Sequence, residues 1–400
     1  MRVGLIDVDS MSRGKTKFPN LALMKLSAWH KAQGDEVEWW WGFGEYDRVY
    51  MSRVFDDTYI KDMEDPWNAK EVIRGGTGYD LKNKLPDEVE RMHPDYSIYP
   101  AFANRAYGFL TRGCPRGCHF CIVAEKEGRC SHKVSDLHEW WDGQKNIVLM
   151  DPNLLACPQH KELLQQLIDS KAWVDVNQGF DCRLLTKENI DLINQVKLKN
   201  IHFAWDYMKE TERVLRGLAL YKRMATRKIS GAYGTVYTLV NYDTTMDENL
   251  FRIYTLRDMG FDPYVMVYDK PHAPKEIKQL QRWCNNRAIF FETDVCALPE
   301  NAKCKRFFTP EVDGLKQEWT GVCWCNPPYG RVIADWVKKA AESKATTVML
   351  LPNRTEMGWF HEYVLGKAEV RFIRGRLKFG GAKYNAPFGS MIVVFRNAEV

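Results

Sequence analysis

Val322-Cys-Trp-Cys-Asn-Pro-Pro-Tyr-Gly-Arg331 decides how the C-terminal quarter of this chain is read. The first four residues suit a buried strand and the two prolines stop it. From 331 to 343 apolar residues then recur at helical spacing. A strand that ends in a stiff polar loop and turns into a helix is one unit of a parallel α/β sheet, and such sheets place ligands at the carboxyl ends of their strands. The loop suits an aromatic amine, whose lone pair is delocalised and which needs acceptors for its N–H groups. The Asn326 side-chain oxygen and the Pro327 carbonyl are acceptors, and Pro327 and Pro328 hold the backbone rigid. Tyr329 offers a face on which an extruded base can stack.

The neighbouring sequence extends this unit. Strands are expected over 290–297, 321–325, 346–351, 369–374 and 390–395, with helices over 331–343 and 359–365. Charge is uneven: residues 292–400 hold 16 Lys/Arg against 12 Asp/Glu, while 1–291 hold 41 against 40. The segment 371–383 has five basic residues and no acidic one, as a polyanion site or a solvated strand edge would.

Asp294-Val-Cys-Ala297, Asn301-Ala-Lys-Cys304, Phe308-Thr-Pro310, Asp313-Gly-Leu315, Asn326-Pro-Pro-Tyr-Gly-Arg331, Leu350-Leu-Pro-Asn-Arg354 and Arg371-Phe-Ile-Arg-Gly-Arg-Leu-Lys378 together resemble the phage-type DNA N6-adenine methyltransferase family. The resemblance is nearly continuous over 293–396 and implies a Rossmann-like domain that uses S-adenosyl-L-methionine (SAM). It places Asp294, Ala297 and Asn301 in a SAM-binding loop and Asp313 near the SAM adenine. Asn326, Pro327, Pro328 and Tyr329 become the catalytic loop, and Arg374, Arg376, Lys378 and Lys383 face double-stranded DNA. One departure stands out. The family's usual Thr-Pro-containing N-terminal helix is replaced here by Ala273-Pro274-Lys-Glu-Ile277 and the helix that follows, so either one helix serves two domains or the methyltransferase module is shortened.

Upstream, strands are expected at 107–112, 147–151, 173–178, 201–205, 235–240 and 264–268, alternating with helical patterns. Repeated β/α units imply a parallel sheet, either a partial barrel or an open doubly wound sheet. Directly after the first strand stands Thr111-Arg-Gly-Cys-Pro-Arg-Gly-Cys-His-Phe-Cys-Ile-Val123, with Cys114, Cys118 and Cys121 spaced as Cys-x3-Cys-x2-Cys. Three thiolates can hold three corners of a four-iron, four-sulfur cube and leave one iron open, whereas zinc usually takes a fourth Cys or His. This spacing resembles the radical SAM enzymes, over roughly 105–285. The resemblance implies a (β/α)6 partial barrel, a [4Fe-4S] cluster on the three cysteines, and an electron donor such as flavodoxin or ferredoxin. In that family SAM is cleaved to methionine and a 5′-deoxyadenosyl radical. Phe120 would lie against its adenine, with Asn153 and Arg183 among the cofactor contacts; Asp151, Asn177 and Asp206 also end strands, where each can equally serve as a cap or loop residue.

Residues 1–104 read as a small β-α-β-type domain, followed by 105–288 and 289–400. The Asp-x-His-x-x-Gly motif of cobalamin domains is absent, and Gly75-Gly76-Thr-Gly78 suits a nucleotide-contacting loop or a plain turn. Eleven cysteines at irregular spacing make no disulfide framework and point to a reducing compartment. Apolar runs reach only about seven residues, as in Thr346–Pro352, and no signal-peptide pattern opens the chain, so the expectation is a cytoplasmic protein of a bacterium or phage-infected host with no membrane partner. The expectation overall is a SAM-dependent adenine methyltransferase fused to a radical SAM enzyme of unassigned substrate. Two alternatives stay open: a radical enzyme acting on nucleotides or nucleic acid with an inactive DNA-binding C-terminus, and a DNA-binding protein with both SAM sites vestigial.

Overall fold

Apolar residues from Val3 onward bury β1 (Arg2–Asp7), and β2 (Glu36–Trp39), β3 (Arg48–Ser52) and β4 (Val72–Gly75) pair beside it in the order β2-β1-β3-β4, all parallel. β4 was not expected; Val72 and Ile73 are its only apolar positions, and an edge strand needs few. A short helix α1 (Val8–Arg13) follows β1, and α2 (Leu21–Ala32) begins at Asn20, whose side chain accepts from the Leu23 N–H. Such a cap stabilises a helix by about 1 kcal/mol. The α2 face made by Leu23, Met24 and Leu26 is buried with Val3, Leu5 and Tyr50 of the sheet.

The computed structural model describes residues 1–13, 18–229, 233–285, 292–304, 306–378 and 384–397. Lys383 and the start of the strand expected over 290–297 lie outside the described residues. Two compact units are present, Met1–Lys278 and Gln279–Val400. Among the described residues no helix is long and apolar enough to cross a membrane.

In the first unit, α3 (Asp87–Glu90) precedes β5 (Arg105–Gly108), which forms a parallel sheet with β8 (Asn146–Leu149) at its centre and β9 (Trp173–Val176) on the far side. A second parallel sheet holds β10 (His202–Ala204), β11 (Thr235–Val240) and β12 (Asp262–Val267). The sheet expected to be one partial barrel is thus two sheets of three strands, with, among the described residues, an isolated Val174–Leu198 bridge and a Phe180 N–H to His202 carbonyl bond at the seam. Helices α5 (His160–Ser170), α6 (Lys187–Gln195), α7 (Thr211–Met224) and α8 (Met246–Asp258) alternate with the strands. Capping boxes at Thr186 and Thr245 start two of them. The strand expected over 107–112 breaks after Gly108; β6 (Thr111–Arg112) instead pairs antiparallel with β7 (His132–Lys133), and between them lie the three cysteines and α4 (Val123–Lys126).

Helix α9 (Lys275–Asn285) contains the boundary between the units. The second unit is a six-stranded sheet in the order β14-β13-β15-β16-β18-β17. It comprises β13 (Thr293–Asp294), β14 (Arg306–Phe307), β15 (Val322–Cys325), β16 (Thr346–Pro352), β17 (Glu369–Phe372) and β18 (Ser390–Arg396), with β18 antiparallel to both neighbours. Helix α10 (Ile333–Glu342) buries Ile333, Trp336, Val337 and Ala340. The segment expected as a helix over 359–365 is a single π turn, Phe360–Val364.

Candidate functional site

In the second unit the chain steps from β13 outward to β14, then returns to the other side of β13 as β15. Parallel sheets bind ligands where strand order reverses in this way, beyond the carboxyl ends. Registers of Thr293 with Cys323 and Asp294 with Trp324 put Asp294 and Asn326 at that one edge. Asp294 is buried, and its two oxygens accept from the Cys296 N–H (3.3 Å) and the Lys303 N–H (3.0 Å), closing its own loop. Burial pushes its carboxyl up despite these donors. Asn301 closes the same loop by accepting from Leu298 N–H at 2.9 Å, and Ala297 N–H donates to the Phe308 carbonyl at 3.1 Å. Asp313 sits at φ 55 and accepts from Leu315 N–H. A Cβ on Gly314 would lie 2.0 Å from the Val295 carbonyl oxygen, so only glycine lets this turn approach the end of β13. The residues expected around SAM therefore share one strand edge, and their side chains are spent on shaping loops.

Past β15, the Asn326 side chain is exposed and Pro327 is buried. The Tyr329 hydroxyl lies 3.3 Å from Asn326 Oδ1 and 3.4 Å from the Leu350 carbonyl, and burial pushes its pKa to about 12. As a neutral donor it orients the amide and leaves Oδ1 a second lone pair for an incoming N–H. Asn326, Pro327 and Tyr329 line a cavity of about 440 Å³ whose other wall is Tyr384, Asn385, Ala386, Pro387 and Phe388. Phe388 meets the Tyr329 ring edge-on, with centroids 5.4 Å apart. This second wall escaped the sequence reading, although a proline and two aromatics directly ahead of an apolar strand are a visible signal. Arg374, Arg376 and Lys378 are exposed in the loop after β17, and Ala386 N–H donates to the Leu377 carbonyl at 2.8 Å, tying that basic loop to the cavity wall.

Residues 269–399 match the family described as DNA N-6-adenine-methyltransferase (Dam). The C-terminal region carries a Dam-type domain. The chain is 36% identical over 89 residues to the DNA N-6-adenine-methyltransferase of Haemophilus phage HP1, covering 21% of this chain and 51% of that protein. With the protein of the same name from Escherichia phage T1 it is 35% identical over 124 residues, or 28% of this chain and 51% of the relative. The chain thus spans about half the length of the curated relatives it matches. The Dam match begins ahead of α9, so the stretch expected to replace the family's first helix lies inside the matched region. These matches lend nothing to the iron–sulfur cluster, the electron donor or the radical chemistry expected of residues 105–288.

Those residues form a second candidate site around the cysteine loop, outside the Dam-type domain. The buried Asp151 carboxylate, just past β8, accepts from Leu110 N–H (2.9 Å), Thr111 N–H (2.7 Å) and Thr111 Oγ1 (2.6 Å), and so holds the entry to the loop. Its burial outweighs the three donors and pushes it to about 7. Gly113 has φ 82, and a Cβ there would lie 2.2 Å from the Cys130 carbonyl oxygen. Across the loop, Arg116 pairs with the buried Asp181 at 2.6 Å, and Asp181 also takes Arg183 at 2.7 Å; the two guanidinium groups hold the carboxylate below its ordinary range against its burial. Asn153 Nδ2 reaches Cys114 Sγ (3.5 Å) and Asp181 (3.2 Å). Phe120 packs against Tyr207 and Tyr242, with centroids 5.5 and 5.6 Å away. Asp181 is the residue that sequence reasoning missed; an acid two positions before Arg183 gave no sign that it would also reach Arg116.

Burial pushes the Cys118 thiol to about 11, helped by Asp206 and the neighbouring thiols, and raises Cys121 as well. Among the described residues no three His, Cys, Asp or Glu side chains converge as ligands of one metal ion. This includes Cys114, Cys118 and Cys121, so their placement supports neither zinc nor an iron–sulfur cluster. Polar groups stand beside the thiols. Asn153 Oδ1, an acceptor, and Arg116 Nη2, a donor, are both buried with no partner. Such a pair suits the amino and carboxylate groups of a small molecule and carries no information on a cluster at the thiols.

Proposed function

We propose that the protein transfers a methyl group to the exocyclic N6 of adenine in double-stranded DNA. The observation that carries this is the cavity between Asn326–Tyr329 and Phe388 at the switch point of the second sheet, with a basic loop hydrogen-bonded to its wall. The Asn326 oxygen and the Pro327 carbonyl accept from the adenine amine and draw its lone pair out of the ring. Tyr329 and Phe388 supply faces for the extruded base, and Arg374, Arg376 and Lys378 compensate backbone phosphates. SAM, held by the loops that Asp294, Ala297, Asn301 and Asp313 shape, supplies the electrophilic methyl. Incubating the full chain with SAM and unmethylated duplex DNA, then measuring nucleosides by mass spectrometry, tests the reading. N6-methyladenine that disappears in Asn326→Ala is the expected result; folded wild-type protein that forms none refutes it.

A second reading, favoured by the unpartnered Asn153 and Arg116 atoms beside three thiols, assigns residues 105–288 as a radical SAM enzyme alongside residues 1–104 and the 289–400 methyltransferase. A [4Fe-4S] cluster on Cys114, Cys118 and Cys121 would supply the electron that splits SAM, received in turn from a flavodoxin- or ferredoxin-like donor. The chain's own part is to position: Asp181 fixes Arg116 and Arg183, Asn153 offers its oxygen to an amine, and Phe120 offers a ring face. Anaerobically reconstituted protein should carry about four irons per chain and release 5′-deoxyadenosine from SAM under reductant, both lost in Cys118→Ala. Absence of iron and sulfide after reconstitution counts against this assignment and leaves the methyltransferase untouched.

A further inference from the structure

A cavity of about 650 Å³ in the first unit shares no lining residue with the Asn326 cavity. Its size is that of a small-molecule site, roughly 300–1,000 Å³. Helix α2 contributes Leu26 and Trp29, β3 contributes Tyr50, the end of β4 contributes Ile73 and Gly76, and α4 contributes Lys126. The cavity therefore runs along β3 from Arg48 to Ser52 and along β4 to Gly76 just past its end.

Two features select an anion. Lys126 is half-buried and donates to the Thr77 hydroxyl at 2.5 Å, and burial pulls its pKa down. The carboxylates that act on it, Glu127 and Glu90, are already paired with Arg112 and Lys25. Their charge is shared with those partners, and a bound anion offsets the remaining cost of desolvating Lys126. Beside it, Gly76 turns at φ +97 under the Arg53 backbone, where a Cβ would lie 2.4 Å from a carbonyl oxygen. Among the described residues, the Gly76 and Thr77 amides donate to no backbone or side-chain acceptor. Successive open amides after a strand form an anion-binding concavity. Leu26, Ile73, Trp29 and Tyr50 form an apolar, aromatic part of the lining that suits a planar ring; the charged part is mixed, with Lys25, Arg48, Arg74, Lys84 and Arg112 beside Lys126 outnumbering Asp87, Glu88, Glu90 and Glu127.

We propose that this cavity binds a nucleoside phosphate, its base against Trp29, Tyr50 and Ile73 and its phosphate at Lys126 and the Gly76–Thr77 amides. The proposal stands apart from both activities above, since it uses neither the Asn326 loop nor the thiols. Titration calorimetry of the full chain with each of the four ribonucleoside 5′-monophosphates tests it. Saturating S-adenosylhomocysteine in the cell keeps any SAM site filled, and adenosine and inorganic phosphate serve as part-ligands. At least one monophosphate should bind with one-to-one stoichiometry and more tightly than either part-ligand. Lys126→Met should weaken it at least tenfold, Lys126→Arg should recover most of the loss, and Ile73→Trp should block it by filling the space. Three results would overturn the proposal: no heat from any monophosphate with folded protein, binding indifferent to both Lys126→Met and Ile73→Trp, or phosphate alone binding as well as the nucleotide.

Discussion

The loop at Asn326–Tyr329 follows a strand of a parallel sheet and the one at Cys114–Cys121 a strand of an antiparallel pair, and the two are fixed by opposite means. The first is stiffened covalently, by two prolines, and needs only weak bonds from the Tyr329 hydroxyl to keep its amide in place. The second has one proline and two glycines at positive φ, and is held by side chains: hydrogen bonds to the Asp151 carboxyl at its entry, and the ion pairs of Glu127 with Arg112 and Asp181 with Arg116. A loop that presents a fixed amide acceptor can be rigid before its partner arrives. One that would wrap a large inorganic group has to close around it, and ion pairs give it defined anchor points at the end of α4 and in the turn after β9. The difference implies that the two sites should fail under different perturbations.

The largest effect is expected where charge alone does the holding. Asp181→Asn leaves the Arg116 and Arg183 guanidinium groups facing each other without their carboxylate, and breaking such a buried pair costs about 3 kcal/mol or more. Denaturant melts of the full chain should show the first unit losing that much while the second unit's transition stays in place. A shift in both, or in neither, would mean the loops are not independently fixed. Next comes the proline-fixed site: Phe388→Ala removes one aromatic face and should leave stability of the fold nearly unchanged. Stacking on one side chain contributes about 1–3 kcal/mol. Methyl transfer to duplex DNA should therefore fall roughly ten- to a hundredfold, mostly in kcat/KM; an unchanged rate would remove Phe388 from the site.

A smaller, pH-dependent effect tests whether charge-fixing extends through the first unit. Asp95 joins Lys31 (2.7 Å) and Ser27 (2.7 Å) of α2 to the Ser97 N–H, and although burial opposes it, these donors hold its carboxyl down at about 2. A depressed carboxylate stabilises the fold above its unfolded value of about 3.9, and the stabilisation is lost as pH falls through the folded value. At neutral pH, Asp95→Asn should cost the first unit about 2 kcal/mol. The gap between variant and wild type should shrink as pH falls from 4 towards 2. A gap that persists at pH 2 would assign the loss to packing instead.

How far each site was legible in the sequence follows the same division. Asn326-Pro-Pro-Tyr329 could be read because its determinants are contiguous: strand, prolines, amide and ring occupy neighbouring positions. The three cysteines were equally visible, but Asp181 lies 65 positions from its partner Arg116, and only the return of the chain at β9 brings them together. The aromatic wall at Tyr384–Phe388 was hidden for the same reason, since Phe388 meets Tyr329 only through the antiparallel β18. Strand placement was good where apolar runs are long, as in β16, and poor at β4 and β14, which have so few buried side chains that periodicity has nothing to register. The partial barrel was overdrawn: alternation of strands and helices fixes parallel pairing but not whether adjacent three-stranded sheets join.

The smallest expected effect sharpens the comparison most, because it separates positioning from holding. Arg374 is exposed and forms no ion pair with a described residue, so nothing in the fold depends on it. If the basic loop after β17 tracks the DNA backbone, Arg374→Ala removes one phosphate contact and releases one fewer counterion. The slope of log K against log salt should become shallower by about 0.9, with sequence preference and melting behaviour unchanged. Because Ala386 bonds the same loop to the cavity wall, a disturbed loop would also alter kcat at saturating DNA, whereas a lost phosphate contact alone would not. A variant with the wild-type salt slope but a lower kcat would therefore make the basic loop a structural brace for the Asn326 cavity, fixed by backbone bonds rather than by contact with DNA.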